Sequence, residues 1–155
     1  MIESIFLLEK EGIREILTSM KIVQKLDYAV RVMVQLAIRY DHTTLTQLDE
    51  LAESEHVSIP FLAQILNELR KAGLVESRRG KNGGYILKSS PDAITLHDVI
   101  VVIEGNILEH HPQPGESSTA VSGAWTKLND VLEKETKATT LASLATDAKT
   151  PMFFI

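Results

Sequence analysis

The sequence predicts a mostly α-helical fold with one small β-hairpin. Apolar residues recur at helical spacing in three segments, at about 22–37, 61–69 and 125–132. Near the middle of the chain, the stretch RRGKNGGYIL at 78–87 places three glycines and an asparagine between two arginines and an apolar run. Because glycine permits the positive φ angles of tight turns, we expect a hairpin at this point.

Length and composition set the outer limits of this interpretation. A chain of 155 residues has room for one compact domain with an arm, or for two small domains. It contains no cysteine, which excludes disulfides, zinc–thiolate sites and cysteine nucleophiles. Its first residues have acids where a signal peptide needs bases, and too short an apolar run to span a bilayer. We therefore expect a cytoplasmic protein without membrane contact.

The N-terminal part predicts two helices. Residues 1–19 place apolar side chains at loosely helical spacing, which predicts one helix, and an amphipathic helix is predicted after Met20. Its predicted apolar stripe is Ile22, Leu26, Ala29, Val30, Met33, Val34 and Ala37.

Two shorter helices are predicted next. Thr44 and Gln47 have the spacing of a capping box, which indicates a helix through about Ser54. After the turn EHV, Ser58 can cap a further helix whose early Pro60 is tolerated in the first turn, and Gly73 can end it. The apolar side of the helix that follows Ser58 is Phe61 or Leu62, with Ile65, Leu66 and Leu69.

Two short helices joined by a tight turn and followed by a glycine-containing hairpin have the order of a winged helix-turn-helix unit. Local charge agrees with a nucleic-acid partner. Residues 58–88 carry a net charge of +4, although the whole chain carries −5, which leaves −9 elsewhere. A basic unit on an acidic body is the electrostatic pattern expected of a specific DNA binder.

The C-terminal part predicts a connecting helix, a loop and a long helix. Thr95 with Asp98 forms a capping-box pattern, and Gly105 can end the helix within 91–105. Residues 106–123 read as a loop, and 124–147 as an amphipathic helix with a short helical end, before the tail at 148–155. We expect the long helix to pack in a dimer, rather than to form a ligand cage, through Trp125, Leu128, Val131 and Leu132.

Several segments together carry a family resemblance. They are DYAVRVMVQLA at 27–37, VSIPFLAQILNELRKAGLVESRRGKNGGYIL at 57–87, ITLHDVIVVIEG at 94–105, and Trp125 with the ending TTLASLA. From about residue 20 to about residue 147, the chain resembles the Rrf2 family of bacterial winged-helix transcription regulators. The resemblance implies a winged domain at 20–90, swapped against a long C-terminal helix in a homodimer. Residues 1–19 precede the resemblance, and we favour an early start-site assignment over a true N-terminal arm.

The resemblance also implies DNA-binding residues. The start of the recognition helix would face the major groove, and Arg79 would enter the minor groove from a turn shaped by Gly80, Gly83 and Gly84, while Arg78, Lys81 and Lys88 hold phosphates. The residues assigned to the major groove are Ser58, Pro60, Phe61 and Gln64. Arginine responds to the negative potential of a narrow minor groove, and glutamine can pair with adenine. Phe61 is equally consistent with a place in the core.

The chain departs from the family pattern at two points. Many relatives hold an iron–sulfur cluster with three cysteines in the segment that matches 106–123, which here has none. Redox sensing therefore does not transfer, and we expect no cofactor. Ala63 also stands where those relatives often have a glutamate. Within 106–123, His110 and His111 are more consistent with solvated side chains than with a metal site. Asp27, near the start of the first amphipathic helix, is more consistent with a helix N-terminal carboxylate than with a cluster ligand.

The main hypothesis is a homodimeric regulator that binds a palindromic operator in double-stranded DNA, acts as a repressor and contains no iron–sulfur cluster. An alternative is a regulator or adaptor controlled mainly by contacts with a partner protein, suggested by the acidic C-terminal part and the apolar PMFFI tail. Whether a protein or a small molecule acts as effector is left open. An enzyme is not expected, because GKNGG lacks the spacing of a phosphate-binding loop and no catalytic triad pattern stands out.

Overall fold

The computed structural model describes residues 22–150. The predicted N-terminal helix within 1–19 and the PMFFI tail lie outside this range. The described residues form six α-helices, a short 3₁₀ helix and a two-stranded antiparallel sheet, so the expected mostly α fold with a small hairpin is confirmed. The elements are α1 (Gln24–Ile38), α2 (Leu48–Glu55), α3 (Ile59–Lys71), β1 (Val75–Arg78), β2 (Gly84–Leu87), the 3₁₀ helix (Pro91–Ala93), α4 (Leu96–Glu104), α5 (Ser118–Ala138) and α6 (Leu141–Lys149).

One hydrophobic core joins α1, α2, α3, the hairpin, α4 and α6. The predicted stripe of α1 is partly wrong, because Val32 and Leu36 are buried whereas Val30 and Val34 are only half-buried. Ile22 precedes the helix and is exposed. The buried arc of α1 therefore includes Val32 and Leu36, and α6 packs against the same helix.

The helix starts differ from their predicted caps. The Thr44–Gln47 capping box is absent, because Thr44 donates its hydroxyl and its backbone N–H to the Asp41 carboxylate, at 2.6 Å each. Helix α2 starts directly after Gln47, and Ser58 precedes α3 without a side-chain cap bond. At the end of α3, Gly73 has a φ of 81°, so its predicted role as the C-terminal stop is confirmed.

The hairpin pairs Val75 with Leu87 at its base and Arg78 with Gly84 at its tip. A third segment joins it. Thr46 and Tyr85 exchange two backbone N–H···O bonds of 2.9 and 2.8 Å, which attaches the loop before α2 to the outer strand. This bridge was not predicted, and it fixes the hairpin against the helix-turn-helix unit.

The C-terminal elements confirm one cap and correct one boundary. Thr95 accepts from the Asp98 backbone N–H, and Asp98 accepts in return from the Thr95 backbone N–H. Helix α5 begins at Ser118, six residues before the predicted start at 124, so the loop predicted at 106–123 is too long. The small polar residues suggested a loop, but they continue the helix and place Val121 one turn before Trp125. No described helix is long and apolar enough to cross a membrane.

Candidate nucleic-acid interface

Helix α3 divides sharply into a buried and an exposed side. Its buried residues lie at helical spacing and face the core, whereas Ser58, Pro60 and Gln64 are exposed, as the predicted interface requires. The buried residues are Leu62, Ile65, Leu66 and Leu69. Phe61 is half-buried and packs edge-on against Tyr28, with ring centroids 6.0 Å apart. Phe61 therefore belongs to the rim of the core as well as to the start of the exposed side.

Two polar links hold α3 and its preceding turn against α1. Lys25 forms an ion pair with Glu68 at 2.8 Å. The buried carboxylate of Glu55, at the end of α2, accepts from Arg31 Nε and from Gln35 Nε2, both at 2.7 Å. Arg31 also donates to the Glu55 backbone carbonyl, at 3.2 Å. Because Glu55 lies just before the turn into α3, these bonds set the angle at which the exposed side of α3 is presented.

The turn of the hairpin requires glycine for different physical reasons. Gly80 has a φ of 111°, which disfavours other residues. A Cβ on Gly83 would lie 2.2 Å from the Arg78 carbonyl oxygen, and one on Gly84 would lie 2.5 Å from the Thr46 carbonyl oxygen. The two later glycines therefore permit close backbone approaches, and these fix where Arg78 and Arg79 project.

A second set of bonds fixes the loop on the other side of the Thr46 bridge. The Asp41 carboxylate accepts from the Thr44 hydroxyl and backbone and from the Thr43 backbone N–H. These hydrogen bonds, the Thr44 hydroxyl first, hold the pKa of Asp41 well below its usual range. The loop thus stays closed while its carboxylate is ionised, and it carries Thr46 to the hairpin.

The outer part of α3, the hairpin and the start of α2 enclose an open groove of about 750 Å³. Its lining is Gln47, Leu48, Asn67, Arg70, Ser77, Arg78, Arg79, Gly80, Lys81, Gly83, Gly84 and Tyr85. The structure thus brings together the predicted hairpin residues Arg78, Arg79 and Lys81, all exposed. Within residues 22–150 none of the three forms an ion pair with an acidic side chain, so their charge faces the groove unneutralised. Ser58, Pro60 and Gln64 lie outside the lining, nearer the start of α3.

Sequence reasoning missed six residues that line the groove, and three of them have long polar side chains: Gln47, Asn67 and Arg70. Asn67 and Arg70 lie at exposed positions of an amphipathic helix, and such a position alone does not distinguish a groove residue from an ordinary solvated one. Arg70 donates to the Asn67 side-chain oxygen at 2.9 Å, on the wall that faces the hairpin. The available signal was their i, i+3 spacing on the exposed side of α3, directly before the hairpin.

The apolar stripe of α5 is poorly covered. Trp125, Leu128 and Val131 are 39%, 43% and 58% exposed, and Leu132 is half-buried. Val121 extends the stripe and is also exposed. Among the residues of α5, only Thr136, near its end, is buried. A helix of 21 residues is about 31 Å long, and along much of this length its apolar side chains are left exposed by the other residues of the range 22–150.

The loop before α5 does not gather metal ligands. His110 Nε2 lies 3.1 Å from the Ser122 hydroxyl, and His111 lies 3.5 Å from Glu109 at an exposed position. Across the part of the chain that the structure describes, no three histidine, aspartate, glutamate or cysteine side chains are grouped to hold a metal ion. Asp27 lies in the first turn of α1, 3.5 Å from Arg31.

Comparison with known proteins identifies the family. Residues 22–147 match the family model Rrf2, described as an iron-dependent transcriptional regulator. The sequence is 36% identical to the HTH-type transcriptional regulator CymR of Bacillus subtilis, over 88% of this chain and 100% of the relative. The solved structure of CymR, titled the global cysteine regulator of B. subtilis, superposes with a TM-score of 0.73 over 82% of this chain and 97% of that one. A structure of T. potens IscR gives a TM-score of 0.69 at 33% identity, over 85% and 93%.

The iron named in the family description does not fit the donors of this chain as an iron–sulfur cluster. Such clusters are held mainly by cysteine thiolates, and the sequence contains none. The loop that could offer replacements has His110 engaged with Ser122 and His111 beside Glu109. We therefore assign no step of the protein's action to a cluster.

The matched region includes the helix-turn-helix unit, the hairpin and α5, and the relatives are transcriptional regulators rather than enzymes. The hairpin is the wing of a winged helix, and α3 is its recognition helix. The chain belongs to the Rrf2 family of DNA-binding transcriptional regulators.

Proposed function

We propose that this protein is a homodimeric repressor that binds a palindromic operator without an iron–sulfur cluster. In each half-site, α3 enters the major groove and the wing carries Arg79 into the adjacent minor groove. The observation that carries this proposal is the groove between α3 and the wing, whose basic side chains have no acidic partner among the described residues. Because the proposed partner is DNA, we also propose that the protein acts in the cytoplasm.

The exposed start of α3 supports major-groove readout. An α-helix fits the major groove, where the base edges distinguish all four base pairs. Gln64 is exposed at the centre of this side and can donate to and accept from adenine. Ser58 and Pro60 are exposed just before it, and Phe61 supports them from the core rim. Truncation of Gln64 should therefore change base preference at one position of each half-site.

The geometry of the wing supports a minor-groove role for Arg79. The close approach of Gly84 holds the hairpin against Thr46, and that of Gly83 to the Arg78 carbonyl oxygen tightens the turn itself, so the arginine projects from a fixed base rather than from a free loop. Arginine is favoured in narrow minor grooves because the negative potential is enhanced there. Arg78 and Lys81 flank it and add phosphate contacts without sequence information.

The stripe on α5 supports a second copy of the chain as its cover. Trp125, Leu128 and Val131 expose an apolar strip on one side of a long helix. A two-fold symmetric pairing of such helices buries the strip in both copies at once. The same symmetry presents two recognition helices to a palindrome, as dimeric helix-turn-helix proteins require. The exchange of helices between domains stays a prediction, because in the single chain α6 packs on its own α1.

Repression follows if the dimer occupies DNA that the transcription machinery must use.

The test begins with selection of bound duplexes from a random pool by the wild-type dimer. Anisotropy at two salt concentrations then compares wild type, Arg79→Ala and the control Lys149→Ala, which removes the same charge from the end of α6, outside the groove lining. We expect a palindromic site, weakened about tenfold by Arg79→Ala and little changed by the control. No preference for any duplex over random DNA would refute the proposal.

A further inference from the structure

The groove between α3 and the wing has no DNA contact assigned to its α3 wall. A protein that reads the major groove with a helix and the adjacent minor groove with a wing must straddle the sugar–phosphate strand that separates the two grooves. The predicted residues lie on either side of that strand, at the start of α3 and at the wing tip. The 750 Å³ groove lies beside the wing, and its α3 wall contains Asn67 and Arg70, farther along the helix than the predicted major-groove residues.

Arg70 is held in position within this wall. Its Nη2 donates to the Asn67 side-chain oxygen at 2.9 Å, and it has no acidic partner within residues 22–150. A guanidinium has five N–H donors in a planar fork, so most of them remain free after this bond. The fork matches two oxygens of a phosphate, which gives a charge-assisted contact with defined geometry.

The same bond leaves the amide N–H donors of Asn67 available. Its oxygen is engaged by Arg70, so its amide group presents N–H donors to the groove. An asparagine that reads adenine uses oxygen and nitrogen together, whereas phosphate oxygens only accept hydrogen bonds. The pair therefore offers donors and one positive charge, which is complementary to a phosphate and poorly suited to the adenine edge.

We propose that Asn67 and Arg70 form a seat for one backbone phosphate of the DNA, located between the recognition helix and the wing. The proposal rests on the proposed DNA-binding function and deepens it. Arg70 supplies the charge and the fork, and Asn67 orients Arg70 and adds an amide donor. Arg78, on the last position of β1, lines the opposite wall of the groove and closes it over the strand.

The test uses the full chain and the duplex selected by the wild-type protein, with each phosphate of one half-site replaced in turn by a neutral methylphosphonate. Wild type, Arg70→Ala and Asn67→Ala are compared with Lys71→Ala, which removes a neighbouring exposed charge that does not line the groove. We expect Arg70→Ala to weaken binding about tenfold and to reduce the salt-dependence slope by about 0.9. One methylphosphonate position should weaken wild type but leave Arg70→Ala unaffected.

Lys71→Ala should keep the wild-type methylphosphonate pattern, and thermal melting of each variant shows whether it is folded. If Arg70→Ala unfolds, Arg70→Gln provides the same comparison with a neutral residue that favours helix. Equal losses for Arg70→Ala and Lys71→Ala would overturn the seat, as would a methylphosphonate pattern that is the same with and without Arg70. A change of base preference in Asn67→Ala would show that Asn67 contacts a base, and it would overturn the proposed role of Asn67 in phosphate binding. If wild type binds no duplex at all, the proposed function itself fails.

Discussion

The winged unit and α5 use their apolar residues in opposite ways. In α3, Leu66 is completely buried together with Leu62, Ile65 and Leu69, and most of the outer side is polar. In α5, Leu128 and Val131 lie largely exposed on a helix of similar amphipathic pattern. The winged unit thus buries its apolar residues within the single chain, and its exposed side is the surface proposed to bind DNA. Among residues 22–150 nothing covers the apolar strip of α5, so the difference distinguishes the proposed DNA surface from the proposed assembly surface.

The largest effect should come from truncating the core under the recognition helix. Leu66→Ala leaves a cavity at a completely buried position and should lower the free energy of unfolding by about 2–5 kcal/mol. Urea denaturation at several protein concentrations measures this loss. The matched variant Leu128→Ala removes the same atoms from α5, and its cost should depend on protein concentration, because it acts through the dimer. If both variants lose the same free energy of unfolding at every protein concentration, the proposed difference between α3 and α5 is wrong.

A charge within the stripe of α5 should separate the two copies. Val131→Glu buries a carboxylate without a partner in the proposed dimer and should raise the dimer dissociation constant by about a hundredfold. Sedimentation velocity across a range of concentrations gives this constant. The control Thr126→Glu places the same group about 100° around the helix from Trp125, away from the stripe, and should leave assembly unchanged. If both variants dimerise like wild type, α5 is not the interface.

A methyl group at Gly84 should disturb the seat of the wing. Its Cβ would lie 2.5 Å from the Thr46 carbonyl oxygen, so the bridge must open or the strand must shift. We expect Gly84→Ala to lower the free energy of unfolding by roughly 1–3 kcal/mol and to weaken operator binding several-fold. Gly115→Ala serves as the control, because a Cβ there meets no atom within 4 Å. Unchanged binding in Gly84→Ala would show that the wing does not depend on the Thr46 bridge.

The smallest effect concerns the loop that leads to Thr46. The hydrogen bonds from Thr44 and Thr43 lower the pKa of Asp41 in the folded protein, so its contribution to stability is present above the ordinary aspartate pKa and is lost as the pH falls. The melting temperature of wild type should therefore exceed that of Asp41→Asn at about pH 6, and this difference in melting temperature should become smaller toward about pH 3. Melting curves at both pH values check this, with the exposed Asp92→Asn as control. A difference in melting temperature that grows as the pH falls would contradict the stabilising role of the ionised Asp41 carboxylate.

The local patterns predicted most of the fold, because each helix carries its own periodicity and its own breaker. The order of α2, α3 and the wing, the stop at Gly73 and the cap at Thr95 are all properties of neighbouring residues. The start of α5 was misplaced for the same reason. Ser117, Ser118 and Thr119 have weak helix preference, and only the continuation of the stripe to Val121 favours helix there.

Contacts between distant residues could not be predicted in this way. The bridge from Thr46 to Tyr85 and the link from Arg31 to Glu55 join segments 39 and 24 positions apart, with no local pattern to indicate them. The Asn67–Arg70 pair is local, but its meaning depends on the wing that lies opposite. Sequence alone therefore indicated the elements that are proposed to face DNA, and the structure added how they are held and which further residues line the groove beside them.

The most direct test of the account compares binding of a full palindromic duplex with binding of a single half-site, for wild type and Val131→Glu. The account predicts that wild type prefers the full site by at least about tenfold, since two linked recognition units bind together. Val131→Glu should lose that preference while its half-site affinity stays near that of wild type, because the winged unit is complete in one chain. Equal preference for the full site in both proteins would contradict the division between a finished DNA surface and an unfinished assembly surface.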